Sequence, residues 1–263
     1  MRYNILAKVF LLAGILVILA DQTYSFAPKK EFYELKIYHF KDKEQEDRLD
    51  KFLQNAYLPA MHRKGFKKVG VFKPLDNDTA SDKRIYVFIP YKSFDQIIKI
   101  RDELEKDKEF QASGSDYINT AYNTPTYVRM ESIILQAFPE MPSFKAPSFS
   151  NSPSERIYEL RSYEGATEKL YKSKVKMFNE GGEVKLFNRL GFNAVFYAEV
   201  LVGSRMPNLM YMTTFENKPV RDQHWASFSA DEEWKKLSAM QEYKNNVSRN
   251  ETIFLHPTEY SDF

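Results

Sequence analysis

The chain has 263 residues with a net charge of +2, 28% charged and 43% hydrophobic residues. That balance removes the electrostatic case for nucleic-acid binding and the compositional case for disorder. The absence of cysteine rules out thiolate metal sites, thiol nucleophiles and disulfides. The 17 Tyr and 21 Phe suit a β-rich core.

Residues 1–27 differ from the rest. Arg2 and Lys8 precede the apolar run Val9–Ala20, and small residues follow at Ala20, Ser25 and Ala27. The run falls short of the ~20 apolar residues that span a bilayer. It reads as a secretory leader, which predicts a periplasmic or extracellular protein. An uncleaved membrane anchor is the alternative.

Beyond the leader the chain repeats with an offset of about 125 residues. Tyr33-Glu34-Leu35-Lys36-Ile37-Tyr38 matches Tyr158-Glu159-Leu160-Arg161-Ser162-Tyr163. His62-Arg63-Lys64-Gly65-Phe66 matches Asn188-Arg189-Leu190-Gly191-Phe192, and Asp107 with Phe110 matches Asp231 with Trp234. The first copy spans 31–138, the second 156–263, and the Pro- and Ser-rich stretch 139–155 reads as a linker.

In chain order, the alternating residues 32–40 predict a strand. Leu49, Phe52, Leu53, Ala56, Tyr57 and Ala60 fall at helical spacing, and Gly65 supplies a stop. Strands are predicted at Phe66–Phe72 and Arg84–Tyr91, and a helix from Ser93 to about Glu105 behind a Ser93/Gln96 capping box. Tyr127–Phe138 closes the copy as its last strand. The second copy predicts strands near 156–164, 192–202, 208–216 and 251–257, and helices near 167–189 and 218–238. Gly181-Gly182 interrupts the first of those helices.

Each copy is therefore β-α-β-β-α-β, a ferredoxin-like unit of the α+β class with both helices on one face of a four-stranded antiparallel sheet. Two such units in one chain can cover each other's bare faces, closing a pseudo-dimeric α/β barrel inside a helical coat.

Arg221-Asp222-Gln223-His224-Trp225-Ala226-Ser227-Phe228, Asp231-Glu232-Glu233-Trp234 and the closing Pro257-Thr258-Glu259-Tyr260-Ser261 follow the Tyr158-Glu159-Leu160-Arg161 strand. Together they resemble the NIPSNAP domain family, closely over 156–262 and in outline over 31–138. Glu232 replaces the usual proline, and the first copy lacks both tryptophans. The resemblance implies the dimeric α/β-barrel superfamily, which includes cofactor-free monooxygenases, haem-handling enzymes and isomerases. It carries no catalytic residue across, because the family has no agreed reaction.

No Gly-rich phosphate loop, GxSxG elbow or HExxH motif is present, and the four histidines lie far apart in sequence. No metal and no cofactor are expected. Asp76-Asn77-Asp78 opens like a calcium loop but lacks the glycine and the closing glutamate. The basic run His62–Lys68 reads as complementing the dipole of a helix C-terminus.

Strand alternation puts Tyr33, Leu35, Ile37, Tyr158 and Leu160 on one face and Glu34, Lys36, Tyr38, Glu159, Arg161 and Tyr163 on the other. The apolar set is expected to face the helices and the polar set to point into the barrel. A candidate ligand site then comprises Glu159, Arg161, Tyr163, Arg189, His224 and Trp225, with Glu159 and Arg161 paired. His62 and His224 are candidate general bases, and Trp225, Phe228, Asp231 and Trp234 also have an ordinary packing role open to them. Three functions remain open: an exported module binding a small organic ligand in the barrel, a cofactor-independent monooxygenase or isomerase, and a non-catalytic interaction scaffold. A small organic ligand is the expected partner, with a further homo-oligomer open. Nucleic acid is not expected, nor a membrane after leader removal.

Overall fold

A computed structural model describes residues 28–263, so the predicted leader lies outside the described residues. The first half runs β1 (Phe32–Phe40), α1 (Lys43–Phe52), α2 (Leu58–Arg63), β2 (Gly70–Pro74), β3 (Lys83–Tyr91), α3 (Phe94–Glu105), α4 (Lys108–Ser113), α5 (Ser115–Ile118) and β4 (Arg129–Ala137). The second runs β5 (Ile157–Glu164), α6 (Glu168–Asn179), α7 (Glu183–Arg189), β6 (Asn193–Val202), β7 (Asn208–Phe215), α8 (Lys218–Ala230), α9 (Glu232–Ala239) and β8 (Arg249–Pro257).

Each half forms an antiparallel sheet of the same order, β4-β1-β3-β2 and β8-β5-β7-β6, and the two join edge to edge into a closed eight-stranded barrel. The seams are short. β2 meets β8 through Phe72–Pro74, and β4 meets β6 through Ile134–Ala137. Closing both seams removes the free edges that two open sheets would leave.

Local chemistry explains the helix interruptions. A π turn over Leu53–Tyr57 joins α1 to α2. Pro59, two residues beyond it, has no N–H to return to the preceding turn, and a widened turn absorbs that loss. Gly182 adopts φ +89° at the start of α7, a left-handed conformation that glycine accepts without a Cβ penalty. The predicted strand from Phe66 begins only at Gly70. The predicted helix near 218–238 is two helices, because Asp231 ends one and caps the next.

The facing of the sheet is the reverse of the expectation. Tyr33, Leu35, Ile37, Tyr158 and Leu160 point into the barrel, where they pack with Phe72, Phe88, Phe196, Met212 and Leu255. Phe88 and Phe196 stack across the interior with centroids 4.9 Å apart. Glu34, Lys36, Glu159, Arg161 and Tyr163 instead face the helices. Both faces of each sheet are covered, so alternation separates two sets without saying which is inside. The decisive physical difference is the supply of partners. The barrel's middle is filled by apolar and aromatic side chains from the strands, with Phe263 of the C-terminal tail and Phe144 of the connecting segment, whereas helices can send long cationic side chains down onto the sheet.

Candidate functional site

Glu159, on β5, is fully buried beneath α8. Its Oε1 accepts from Arg161 Nε at 2.7 Å and Arg221 Nη2 at 2.6 Å. Its Oε2 accepts from Arg221 Nε at 2.7 Å and Trp225 Nε1 at 2.8 Å. Arg161 donates onward to the Tyr163 hydroxyl at 3.0 Å, and that hydroxyl meets Tyr211 Oη at 2.8 Å. The Arg161 guanidinium lies 4.0 Å from the Trp225 ring centroid, a cation–π stack. Strand alternation brings Glu159, Arg161 and Tyr163 to one face, and a helical spacing of four puts Arg221 and Trp225 on one side of α8.

Burial alone would raise the Glu159 pKa, but the bonds and charges of Arg221 and Arg161 outweigh it and hold the carboxyl below its ordinary value. Burial likewise pushes the Tyr211 phenol well up, keeping it protonated. The carboxylate accepts four charge-assisted or indole hydrogen bonds and retains no lone pair for a ligand. The cluster ties sheet to helix.

Four of the six predicted residues, Glu159, Arg161, Tyr163 and Trp225, thus come together. Arg189 does not join them. It ends α7 and binds both Asp231 oxygens and Glu233 at 2.9 Å, half exposed. His224 turns away too, its Nδ1 hydrogen-bonded to the Leu190 carbonyl at 2.8 Å and its ring against Phe192 and Phe215. His62 is engaged by Asp262 at 2.9 Å. Sequence reasoning missed Arg221, although its place one helical turn before Trp225 in the Arg221–Phe228 motif was the available signal. It also missed the buried Lys174–Glu183 pair, 2.8 Å apart, whose nine-residue spacing across two helices carries no signal.

An open groove lies elsewhere. It measures about 770 Å³ and runs between the start of α1, α4–α5 and the segment leading into β4. Its walls are Phe110, Tyr117, Ile118 and Tyr127, with Gln45 and Thr126 as polar points. Thr126 is 1% exposed, and its hydroxyl has no hydrogen-bond partner. Among the described residues no three His, Asp or Glu side chains are placed to hold a metal ion. No described helix is long and apolar enough to cross a membrane.

Two ferredoxin-like halves closed into one barrel define a dimeric α/β barrel built within a single chain. Residues 158–262, in its second half, match the NIPSNAP family model. The fold is similar to a candidate monooxygenase of Lactobacillus acidophilus NCFM, at 10% identity, covering 87% of this chain and 94% of that one with a TM-score of 0.55. A candidate monooxygenase of Fusobacterium nucleatum subsp. nucleatum matches at 8% identity, 88% and 93% coverage and a TM-score of 0.55. An anthrone oxidase-like protein matches at 11% identity, 88% and 93% coverage and a TM-score of 0.50. At these identities the likeness is one of fold. No curated protein matches the chain.

Proposed function

We propose that the protein is a binding module for a small organic molecule with a planar, largely apolar body, seated in the first-half groove. The observation that carries this reading is the groove itself: about 770 Å³ and aromatic-walled, with Thr126, whose buried hydroxyl is unpartnered, among its lining residues. Ligand sites commonly occupy about 300–1,000 Å³ with few polar anchors. An unmade hydrogen bond at a buried hydroxyl costs about 1–3 kcal/mol, which a ligand acceptor would recover. The oxygenase or isomerase reading draws no support from the barrel's middle, which side chains fill. The leader-like run Val9–Ala20 supports a site of action outside the cytoplasm.

Titration of the full chain with 2-naphthol, followed by NMR, tests the reading. Saturable one-to-one binding is expected, weakened more than tenfold by Gln111→Trp, which fills the groove, and severalfold by Thr126→Val. Binding that ignores Gln111→Trp, or no binding at all, would overturn it.

A further inference from the structure

One end of the barrel differs in kind from its apolar middle. There the inward-facing side chains turn polar: Arg84 and Tyr86 on β3, Glu131 on β4, Ser162 on β5, Asn208 on β7 and Glu251 on β8. Together with the apolar Ile37, Ile133, Leu160, Met210 and Ile253 they surround a cavity of about 50 Å³, which Ser204 and Arg205 from the β6–β7 connection also line. A buried water needs about 10–15 Å³ on a comparable measure, so the space suits several water positions or one molecule of roughly five non-hydrogen atoms.

The carboxylates in this lining are already engaged. Glu131 accepts from Ser204 Oγ and bonds His39 Nε2, each at 3.0 Å, and Glu251 is paired with Arg205. What remains unpartnered is a different set: Arg84 Nε, the Tyr86 hydroxyl and Asn208 Oδ1, all buried. Asp82 lies 3.7 Å from Arg84 Nε, beyond a hydrogen bond. Tyr86 is 1% and Asn208 3% exposed, and Asn208 spends its amide nitrogen on Ser162 Oγ at 2.9 Å. Burial raises the Tyr86 phenol pKa, so it stays an O–H donor. Two free donors, one of them on a guanidinium, call for an anionic acceptor, and the free amide end calls for a neighbouring polar hydrogen.

We infer that this barrel end is a binding site for a small 2-hydroxy carboxylate. The carboxylate accepts from Arg84 Nε–H and Tyr86 O–H, and the hydroxyl meets the Asn208 amide. A hydroxyl both donates and accepts, so it fits either orientation of that amide. The site is separate from the first-half groove and stands or falls independently of it.

Glycolate is the probe, with acetate, of equal charge but lacking the hydroxyl, as the comparison. Calorimetric titration of the full chain should show one glycolate site, with acetate at least tenfold weaker. Tyr86→Phe, which removes one oxygen and keeps the ring, should weaken glycolate at least tenfold while leaving 2-naphthol binding unchanged. A crystal structure grown with glycolate should place it on Arg84, Tyr86 and Asn208. Equal affinity for acetate, indifference to Tyr86→Phe, or ordered water alone in the cavity would each overturn the assignment. Should Tyr86→Phe fail to fold, Arg84→Lys, which keeps the charge and loses the planar donor, provides the same test.

Discussion

The two halves bury a carboxylate at the same place and satisfy it differently. Glu34 on β1 and Glu159 on β5 are 1% and 0% exposed, and both face the helices. Glu34 accepts from two neutral hydroxyls, Tyr91 at 3.0 Å and Ser132 at 2.7 Å, while its cations stand farther off, Arg101 at 3.5 Å and Lys36 at 3.9 Å. Glu159 has two guanidiniums and an indole at 2.6–2.8 Å. Counted from the helix caps Ser93 and Asn217, Arg101 occupies the place of Trp225, and Ile97 that of Arg221. The fold retains a buried acid tying sheet to helix, and the identity of its partners is free to change. The first half, whose tie is looser, carries the groove of about 770 Å³, against about 450 Å³ for the opening beside Phe192 and Asn193 of the second.

The harshest way to break the comparison is to separate the halves. The barrel interior draws side chains from both, so residues 29–138 or 156–263 alone would expose a whole apolar face. Each fragment is expected to self-associate or aggregate in size-exclusion chromatography, and a stable monomer of either would break the pseudo-dimer picture. The next effect is unequal. Glu159→Gln leaves two buried guanidiniums facing each other without a counter-charge, a loss of about 3–5 kcal/mol. At about 2–4 °C per kcal/mol, melting should fall on the order of 10 °C. Glu34→Gln, whose close partners are neutral, should cost about 1–2 kcal/mol. The pH dependence sharpens the same contrast. Because the Glu159 pKa is depressed, its contribution is fully present above the ordinary glutamate value and lost as pH falls through the lower native value. Melting curves between pH 7 and pH 3 should therefore show Glu159→Gln approaching wild type at the acid end. A gap that stays constant with pH would refute the assignment.

Much of this architecture was legible in the residues. The 125-residue offset and strand alternation suffice for the β-α-β-β-α-β order and the closed barrel, because periodicity and turn residues act locally. The direction in which each strand faces was not. Tyr158 and Glu159 differ only in which covered side they meet, and that depends on Arg221 and Arg101 descending from helices distant in sequence. The candidate site was legible in part for the same reason. Glu159, Arg161 and Tyr163 share a strand face, and Trp225 follows from its motif, whereas Arg189 and His224 were chosen by chemistry alone and turn out to serve loops. The groove was invisible because Phe110, Tyr117 and Thr126 converge from short helices and connections with no periodic signature.

The smallest expected effect tests the feature in which the halves agree best. Asp107 caps α4 by accepting from Phe110 N–H at 2.9 Å and binds Arg63 at 3.0 Å. Asp231 caps α9 by accepting from Glu233 N–H at 2.9 Å and Trp234 N–H at 3.3 Å, and binds Arg189. In each case the capping bond fixes the turn that delivers an aromatic ring, Phe110 toward Phe52 and Trp234 against Phe228. The ion pairs on these caps are partly solvated, so screening leaves the cap bond as the larger part. Asp107→Ala and Asp231→Ala should each lower melting by roughly 2–4 °C. The Asn variants, which keep a cap acceptor and lose only the charge, should recover most of that. Arg189→Ala should behave like Arg63→Ala, a small shift that shrinks further in high salt, and should leave 2-naphthol affinity unchanged. If Arg189→Ala abolished ligand binding while Arg63→Ala did not, the symmetry of the caps would be superficial and Arg189 would belong to a site after all.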